Sequence, residues 1–469
     1  MANTAEGGGD CLNAYILTFN CARNPIPTDR FAAHLFDVLP PGTTTAPEIL
    51  VLSLQEVAPI YYAFLGGSFL IPYVSAFQKA VDVATRNRWP HAAGDEQGDA
   101  VSYVNVVTHH CGLTALMVFV RSDVADNIAW TDTAEVGVGL QEMGNKGAVG
   151  ARLGYVHGHE TMELTFVAAH IAPAEHAYER RNQDWRRIVE RLVFTKSEDT
   201  EDEMGEEPDG DTAHLLQRNR RNVESGMFSP RSHLFFAGDL NYRTSDVPPI
   251  PEDHARYPQL HATPGDASHY SELFKSDQLT RELRAKRTLH GLSEAPVTFP
   301  PTYKYSDEAQ KAALLGEQGS DNVWKWATRR WPSWCDRILY LEYPPWMTKR
   351  GRSSTIQVQG YNALPLFPTS DHRAVVLAVS VPLRPITSAP SQISDIDDVR
   401  LHPPFSIDPS WRARRENARV KEVIVGGLAY LALTWEGNGI LLATVVGIFG
   451  GWIVLRSLLQ GEVSGGLEF

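Results

Sequence analysis

The sequence predicts a layered α/β sandwich joined to a membrane segment. Three observations carry that reading. Short apolar runs at 14–19, 49–54, 113–120, 148–153, 164–169, 234–237, 337–341 and 374–379 have the length and punctuation of buried strands. Amphipathic stretches at 31–39 and 177–194 read as helices set between them, and strands interspersed with helices pack as layers. Beyond residue 410 the composition changes to a basic run followed by long apolar stretches.

Residues 1–10, MANTAEGGGD, lack the basic-then-apolar pattern of a secretory signal and read as a disordered lead-in. The layered domain then occupies 11–383. Its composition is ordinarily globular, at 43% apolar and 21% charged over 469 residues, so a large core is within reach. A net charge of −13 argues against a protein built to grip nucleic acid. Nine acids and one lysine between 196 and 212 account for −8 of it, which leaves room for a locally basic pocket elsewhere. That run is too charged to pack and reads as a solvated surface insertion. Cys11, Cys21, Cys111 and Cys335 show neither CxxC nor zinc spacing, as expected of reduced thiols in a cytosolic compartment.

Residues 384–410 are a linker by composition. Arg412, Arg414, Arg415, Arg419 and Lys421 make 411–421 a basic juxtamembrane segment, and 423–459 a hydrophobic anchor interrupted by Glu436-Gly437-Asn438-Gly439. A span needs about 20 apolar residues. Residues 439–459 supply it, with Arg456 reaching to the headgroups. Residues 423–435 are too short alone, so they are either interfacial or one arm of a re-entrant hairpin. The basic flank places the layered domain in the cytosol and 460–469 across the membrane, a tail anchor.

Polar groups recur where the predicted strands end. Asn20 closes the first and Glu56 follows the second, a carboxylate suited to a magnesium ion. Gly144-Asn145-Lys146-Gly147 combines small residues with an ammonium. His170 ends a further strand. Phe236-Ala237-Gly238-Asp239-Leu240-Asn241 delivers an acid and an amide two residues apart, hence on one side of an extended chain, where they can hold and deprotonate a water. Tyr303 and Lys304 offer a phenol and an ammonium for phosphate. Asp336 precedes one strand, and Asp371-His372 another.

The order of these groups is that of the endonuclease/exonuclease/phosphatase superfamily. The segments GNKGAVGARL, ERRNQDW, FFAGDLNYR, FPPTYKY, RRWPSWCDRILY and SDHRAVV closely resemble the inositol polyphosphate 5-phosphatases, over about 14–383. With its hydrophobic C-terminal stretch, the chain is most similar to the small fungal tail-anchored phosphatidylinositol 4,5-bisphosphate 5-phosphatases. The resemblance implies a four-layer α/β/β/α sandwich, magnesium as cofactor, a phosphoinositide lipid as substrate and the endoplasmic reticulum as location. It implies roles too. Glu56, with Asn20, holds magnesium and Asp371 lies beside it; Asp239 is general base with Asn241 positioning the water. Asp336 orients His372, which stabilises charge on phosphorus; His170 contacts the transferring phosphate. Asn145, Lys146, Tyr303, Lys304 and Arg330 bind the neighbouring ring phosphates.

The chain departs from the pattern at Phe19, where the family has Trp, and at His170-Ile171-Ala172-Pro173. It also carries a long loop between Tyr305 and Arg329, whose Trp324 and Trp326 either touch lipid or pack beneath the loop. Competing readings are an abasic-site nuclease, a sphingomyelinase-like phosphodiesterase and an inactive phosphoinositide-binding adaptor. The PTYKY and WCDRI segments speak against the first two, and the intact set of Asp239, Asn241 and His372 against the third.

Overall fold

A computed structural model describes residues 11–90, 100–196, 226–317, 321–348, 355–387, 389 and 397–464. The lead-in 1–10, and the acidic run apart from Lys196, lie outside the described residues.

The strands are β1 (Cys11–Asn20), β2 (Ile49–Gln55), β3 (Tyr103–Cys111), β4 (Thr114–Arg121), β5 (Ile128–Gly137), β6 (Gly147–His157), β7 (Glu160–His170), β8 (Thr195–Lys196), β9 (Ser232–Asp239), β10 (Leu292–Glu294), β11 (Asp336–Leu341), β12 (Gln357–Ala363) and β13 (Val375–Pro382). They form two sheets, ordered β12-β13-β1-β2-β4-β3 and β10-β11-β9-β7-β6-β5-β8. All eight predicted apolar runs fall in strands, and their alternation builds the layers. On β1, Ile16 points into the core shared by the two sheets and Leu17 into a second core outside; on β9, Phe235 faces the shared core and Phe236 the opposite outer face.

Helices close the two outer faces. α1 (Thr28–His34), α2 (Ile60–Leu65) and α3 (Ile71–Arg88) cover the first sheet, where Phe31 packs on Phe77 and Phe367. α4 (Tyr178–Arg191) covers the second with Trp185 and Ile188 against Phe236 and Val167. This is the α/β/β/α sandwich. The helix expected at 31–39 sits earlier, at Thr28–His34, because it starts directly after Pro27 and the chain then turns toward Pro40 and Pro41. The strands β3, β5 and β12 escape an apolar-run search because each is a partly exposed or edge-proximal strand with polar residues scattered along it.

The C-terminal region departs from its compositional reading as a free linker. Arg400 is buried, ion-paired to Asp398 at 3.1 Å, and donates to the carbonyls of Glu342 (2.6 Å) and Ser232 (3.4 Å). Asp408 pairs with Arg191 at 3.1 Å. A single tail helix, Trp411–Leu433, then unites the basic run with the first apolar stretch and lies on α2. Gly426 permits that approach, since a Cβ there would stand 2.9 Å from Phe64 Cβ. After extended Thr434 a second helix runs from Trp435 to Ser464. Its stretch Trp435–Leu459, whose most apolar 18 residues have a mean hydropathy of 2.0, is long and apolar enough to cross a membrane and is not buried by the rest of the protein.

Candidate active site

The site forms where the C-terminal ends of central strands in both sheets converge. Parallel pairing sets Asn20 beside Gln55 on β1 and β2, so Glu56 emerges next to Asn20. In the second sheet, β7 pairs with β9 so that His170 stands opposite Asp239, and β9 pairs with β11 so that Asp239 stands opposite Asp336. Gly238 makes the β7–β9 approach possible: any Cβ would lie 1.9 Å from the Ala169 carbonyl oxygen. Both Glu56 (φ 46°) and Asn241 (φ 55°) adopt left-handed backbone, a conformation that costs non-glycine residues energy and recurs at functional sites.

Asp239 is the hub. One oxygen, Oδ2, accepts from Asn20 Nδ2 at 2.9 Å and lies 3.2 Å from His170 Nε2; Oδ1 accepts from the Asn241 N–H at 3.1 Å. Burial opposes its ionisation, but His170, His372 and Lys146 together outweigh that and hold its carboxyl far below the usual range. Lys146 Nζ also contacts the His170 ring and stands 3.8 Å from Glu56 Oε1, while Glu56 Oε2 pairs with Arg23 at 2.9 Å. Burial lowers the pKa of both Lys146 and His170.

Across the cleft, His372 Nδ1 bonds Asp336 Oδ2 at 2.9 Å, and Thr302 donates to the same oxygen at 2.7 Å. Burial works against the imidazolium, yet the Asp336 carboxylate, helped by Asp239 and Asp371, pushes His372 up to about 9. The proton therefore resides on the imidazole at neutral pH. The Tyr303 ring lies tilted against His372, with ring centroids 4.5 Å apart.

Beside this centre opens a groove of about 590 Å³ lined by Tyr303, Lys304, Trp326, Arg329, Arg330 and Asp371. Lys304 pairs with Asp371 there, and Arg330 Nη1 lies 3.8 Å from the buried Glu175. A mouth of ammonium and guanidinium groups leading to a buried carboxylate and an imidazolium suits a polyanionic substrate.

A family profile, Endonuclease/Exonuclease/phosphatase family 2, matches residues 17–378. The chain belongs to this family. Among its relatives, the type II inositol polyphosphate 5-phosphatase 14 of Arabidopsis thaliana is 28% identical over 304 residues, 63% of this chain and 24% of that protein. The polyphosphatidylinositol phosphatase INP53 of Saccharomyces cerevisiae is 25% identical over 73% of this chain and 24% of its own length. The chain thus spans about a quarter of the curated relatives it matches. The inositol polyphosphate 5-phosphatase domain of SPsynaptojanin, solved with inositol (1,4)-bisphosphate and calcium, superposes with a TM-score of 0.53 at 21% identity, covering 88% of this chain and 90% of that one. That likeness bears out the family's layered fold.

Within the family frame, the structure gathers Asn20, Glu56, Lys146, His170, Asp239, Asn241, Asp336 and His372 into one cluster and puts Tyr303, Lys304, Arg330 and Asp371 along the groove. Asn145 is the exception. Its Oδ1 accepts from the Leu140 N–H at 3.1 Å, so that oxygen ties its own turn together. Trp326 packs beneath its loop, tilted against Tyr305 and donating to the Pro258 carbonyl at 2.8 Å; Leu314 and Leu315, not the tryptophan, are the exposed apolar groups there.

Three contributors went unassigned in the sequence. Arg243 is buried, donates to Asn241 Oδ1 at 2.5 Å and lies over the Tyr303 ring; its place in FAGDLNYR was the available signal. Thr302 and Arg23 act through Asp336 and Glu56, and only geometry reveals them.

The oxygen donors fit a hard divalent cation. Glu56 and Asn20 sit side by side against Asp239, and Asp336 Oδ1 is buried without a hydrogen-bond partner among the described residues. Asp239, Asp336 and His372 also bring ligand-type atoms within 4.8 Å of one another. Within that set, His372 has its Nδ1 committed to Asp336. Asp371 likewise has its carboxylate engaged by Lys304.

Proposed function

We propose that the chain is a phosphoinositide 5-phosphatase that hydrolyses the 5-phosphate of phosphatidylinositol 4,5-bisphosphate by direct attack of water. The observation that supports this best is the juxtaposition, at the end of a basic groove, of the buried Asp239 carboxylate at the end of β9, held by Asn20 and Asn241, and the His372–Asp336 pair. The names of the relatives, inositol polyphosphate and polyphosphatidylinositol phosphatases, point to the same substrate class.

In this mechanism Asp239 takes the proton from the attacking water. Asn241 orients that water from its left-handed turn, itself fixed by Arg243 on Asn241 Oδ1 and by Asn241 Nδ2 donating to the Ile171 carbonyl at 3.1 Å. His372, kept protonated by Asp336, stabilises the charge that grows on the phosphoryl oxygens, and His170 approaches the same group from β7, while Lys146, on the turn before β6, holds a neighbouring ring phosphate. Lys304 and Arg330 hold the neighbouring ring phosphate. Glu56 and Asn20 would hold magnesium, which supplies Lewis acidity toward the phosphate when bound. Asp371, paired with Lys304, places that ammonium. No thiol takes part: Cys335 lies against the site but is buried, and burial raises its pKa far above the usual thiol range.

The helix Trp435–Ser464 attaches the domain to a membrane, with the basic flank on the cytosolic side and the endoplasmic reticulum as destination by resemblance to the fungal enzymes. The test is phosphate release by the whole chain in detergent, against short-chain phosphoinositides with magnesium or EDTA. Magnesium-dependent conversion of the 4,5-bisphosphate to the 4-phosphate is expected. Silence on every inositol substrate with cleavage of abasic DNA would move the chain to the nuclease branch of the family.

A further inference from the structure

A helix that serves only as a tether has no need of a buried acid. Glu422 is such an acid. It lies in the tail helix Trp411–Leu433 and is completely buried. Arg415 grips it through Nη1 at 2.6 Å and Nη2 at 3.0 Å, and Arg415 Nε reaches on to Glu135 at 2.6 Å. Arg419 donates to the carbonyls of Phe64 (2.5 Å) and Leu65 (3.0 Å) at the end of α2. The basic run is therefore spent largely on the protein, with Arg414 on Glu142 as well, at 3.0 Å.

The second partner of Glu422 decides the matter. Its Oε1 accepts the backbone N–H of Gly144 at 2.8 Å. Two residues later the same turn delivers Lys146, whose ammonium touches His170 and faces Glu56. From the other side, the Leu113 N–H donates to the Gly144 carbonyl at 2.9 Å, and the Leu113 carbonyl accepts from Val57, next to Glu56, at 3.2 Å. The tail helix thus touches the turn that carries Lys146 and the helix that follows Glu56. A charged acceptor on a buried backbone N–H is worth more than a neutral one and fixes the direction of that peptide.

We propose that Glu422 is a positioning residue for the Gly144–Lys146 turn, making the helix that leads to the membrane segment part of the scaffold that binds the phosphorylated headgroup. The inference rests on the phosphatase reading, and its test separates the two. The full-length chain in detergent is assayed on a soluble inositol trisphosphate bearing a 5-phosphate, so membrane attachment does not enter the kinetics.

Glu422→Ala is expected to raise KM about tenfold, the scale of one charged hydrogen bond, with kcat within about twofold. Hydrogen exchange at the Gly144–Lys146 amides accelerates while β7 and β9 stay protected. Glu422→Gln, which keeps an acceptor oxygen for Gly144, recovers most of the affinity. An unchanged KM in the alanine variant overturns the proposal, as does a glutamine variant no better than alanine, or exchange that rises across β7 and β9 together. A wild-type chain that releases no phosphate refutes the catalytic reading instead, and the exchange measurement still decides whether Glu422 holds the turn.

Discussion

Two buried charge clusters start from adjacent residues of one strand and have opposite characters. β11 opens with Asp336 and Arg337, whose side chains point to opposite faces of the sheet. Arg337 is saturated. It donates to both oxygens of Glu294 at 2.6 Å and to both of Asp277 at 3.1 and 3.2 Å, while Tyr361 bonds Glu294 at 2.8 Å. Asp336 is not: one oxygen carries His372 and Thr302, and the other is an orphan among the described residues. Around Asp239 the mismatch is greater still, since an ammonium and an imidazole crowd each other beside one carboxylate. A network whose donors and acceptors all match holds a fold. One left incomplete, with pKa values driven apart, is arranged to meet a substrate.

The largest expected effect breaks the incomplete cluster. Asp239→Asn should lower kcat about 10²- to 10⁴-fold, the scale of a lost general base, with the melting temperature lowered because Lys146, His170 and His372 lose the carboxylate they surround. Steady-state kinetics beside a thermal melt checks both halves. Substantial residual turnover would remove Asp239 from its role as base.

The complementary variant breaks the saturated cluster. Arg337→Met leaves Asp277 and Glu294 without their cation, and loss of one partner of a buried pair costs about 3–5 kcal/mol. Denaturant unfolding should show that loss, while kcat of the folded fraction stays close to wild type. A large drop in kcat without a stability change would mean that the two clusters are not separable.

Much of this contrast was legible in the sequence, but unevenly. Strand ends bearing Asn20, His170 and Asp239, and strand starts bearing Asp336 and His372, stand out because polar groups interrupt apolar runs at the positions where chains turn. Which cluster a residue joins was not legible for Asp336 and Arg337, which only the pleat separates. Asn145 is ambiguous for a related reason: a carboxamide in a glycine-rich turn can serve a ligand or its own backbone, and here its Oδ1 bonds the Leu140 N–H. The basic run at 411–421 read as a juxtamembrane flank, yet Arg415 finds Glu422 two helical turns on and Arg419 finds the helix-end carbonyls of Phe64 and Leu65, more than 300 residues away. Only Glu422, an acid flanked by an apolar stretch, hinted at that docking.

A pH measurement sharpens the comparison further. His372 is held up at about 9 although burial opposes it, chiefly because the Asp336 carboxylate faces its Nδ1. The protonated form is the competent one, so hydrolysis should fall as pH rises through about 9. The linkage runs the same way: a folded value above the ordinary 6.5 contributes stability that is complete below 6.5 and lost as pH climbs through about 9. Asp336→Asn removes the main support and should move the alkaline limb of the rate profile downward. An unmoved limb would assign it to another group.

The smallest effect tests how complete the saturated cluster is. Tyr361 links Glu294 to the sheet, because its hydroxyl donates to Glu294 Oε1 and accepts the Ile338 N–H at 3.1 Å. Tyr361→Phe keeps the ring packed on Phe299 and leaves one buried N–H without its acceptor. The expected loss is about 1–2 kcal/mol in denaturant unfolding. Because the ring is preserved and Arg337 still holds both carboxylates, kcat and KM should not move. If Tyr361→Phe changed the kinetics as well, the saturated face of β11 would be feeding strain through the strand to Asp336, and the division between the cluster that holds the fold and the one that meets substrate would fail at the residue pair where it begins.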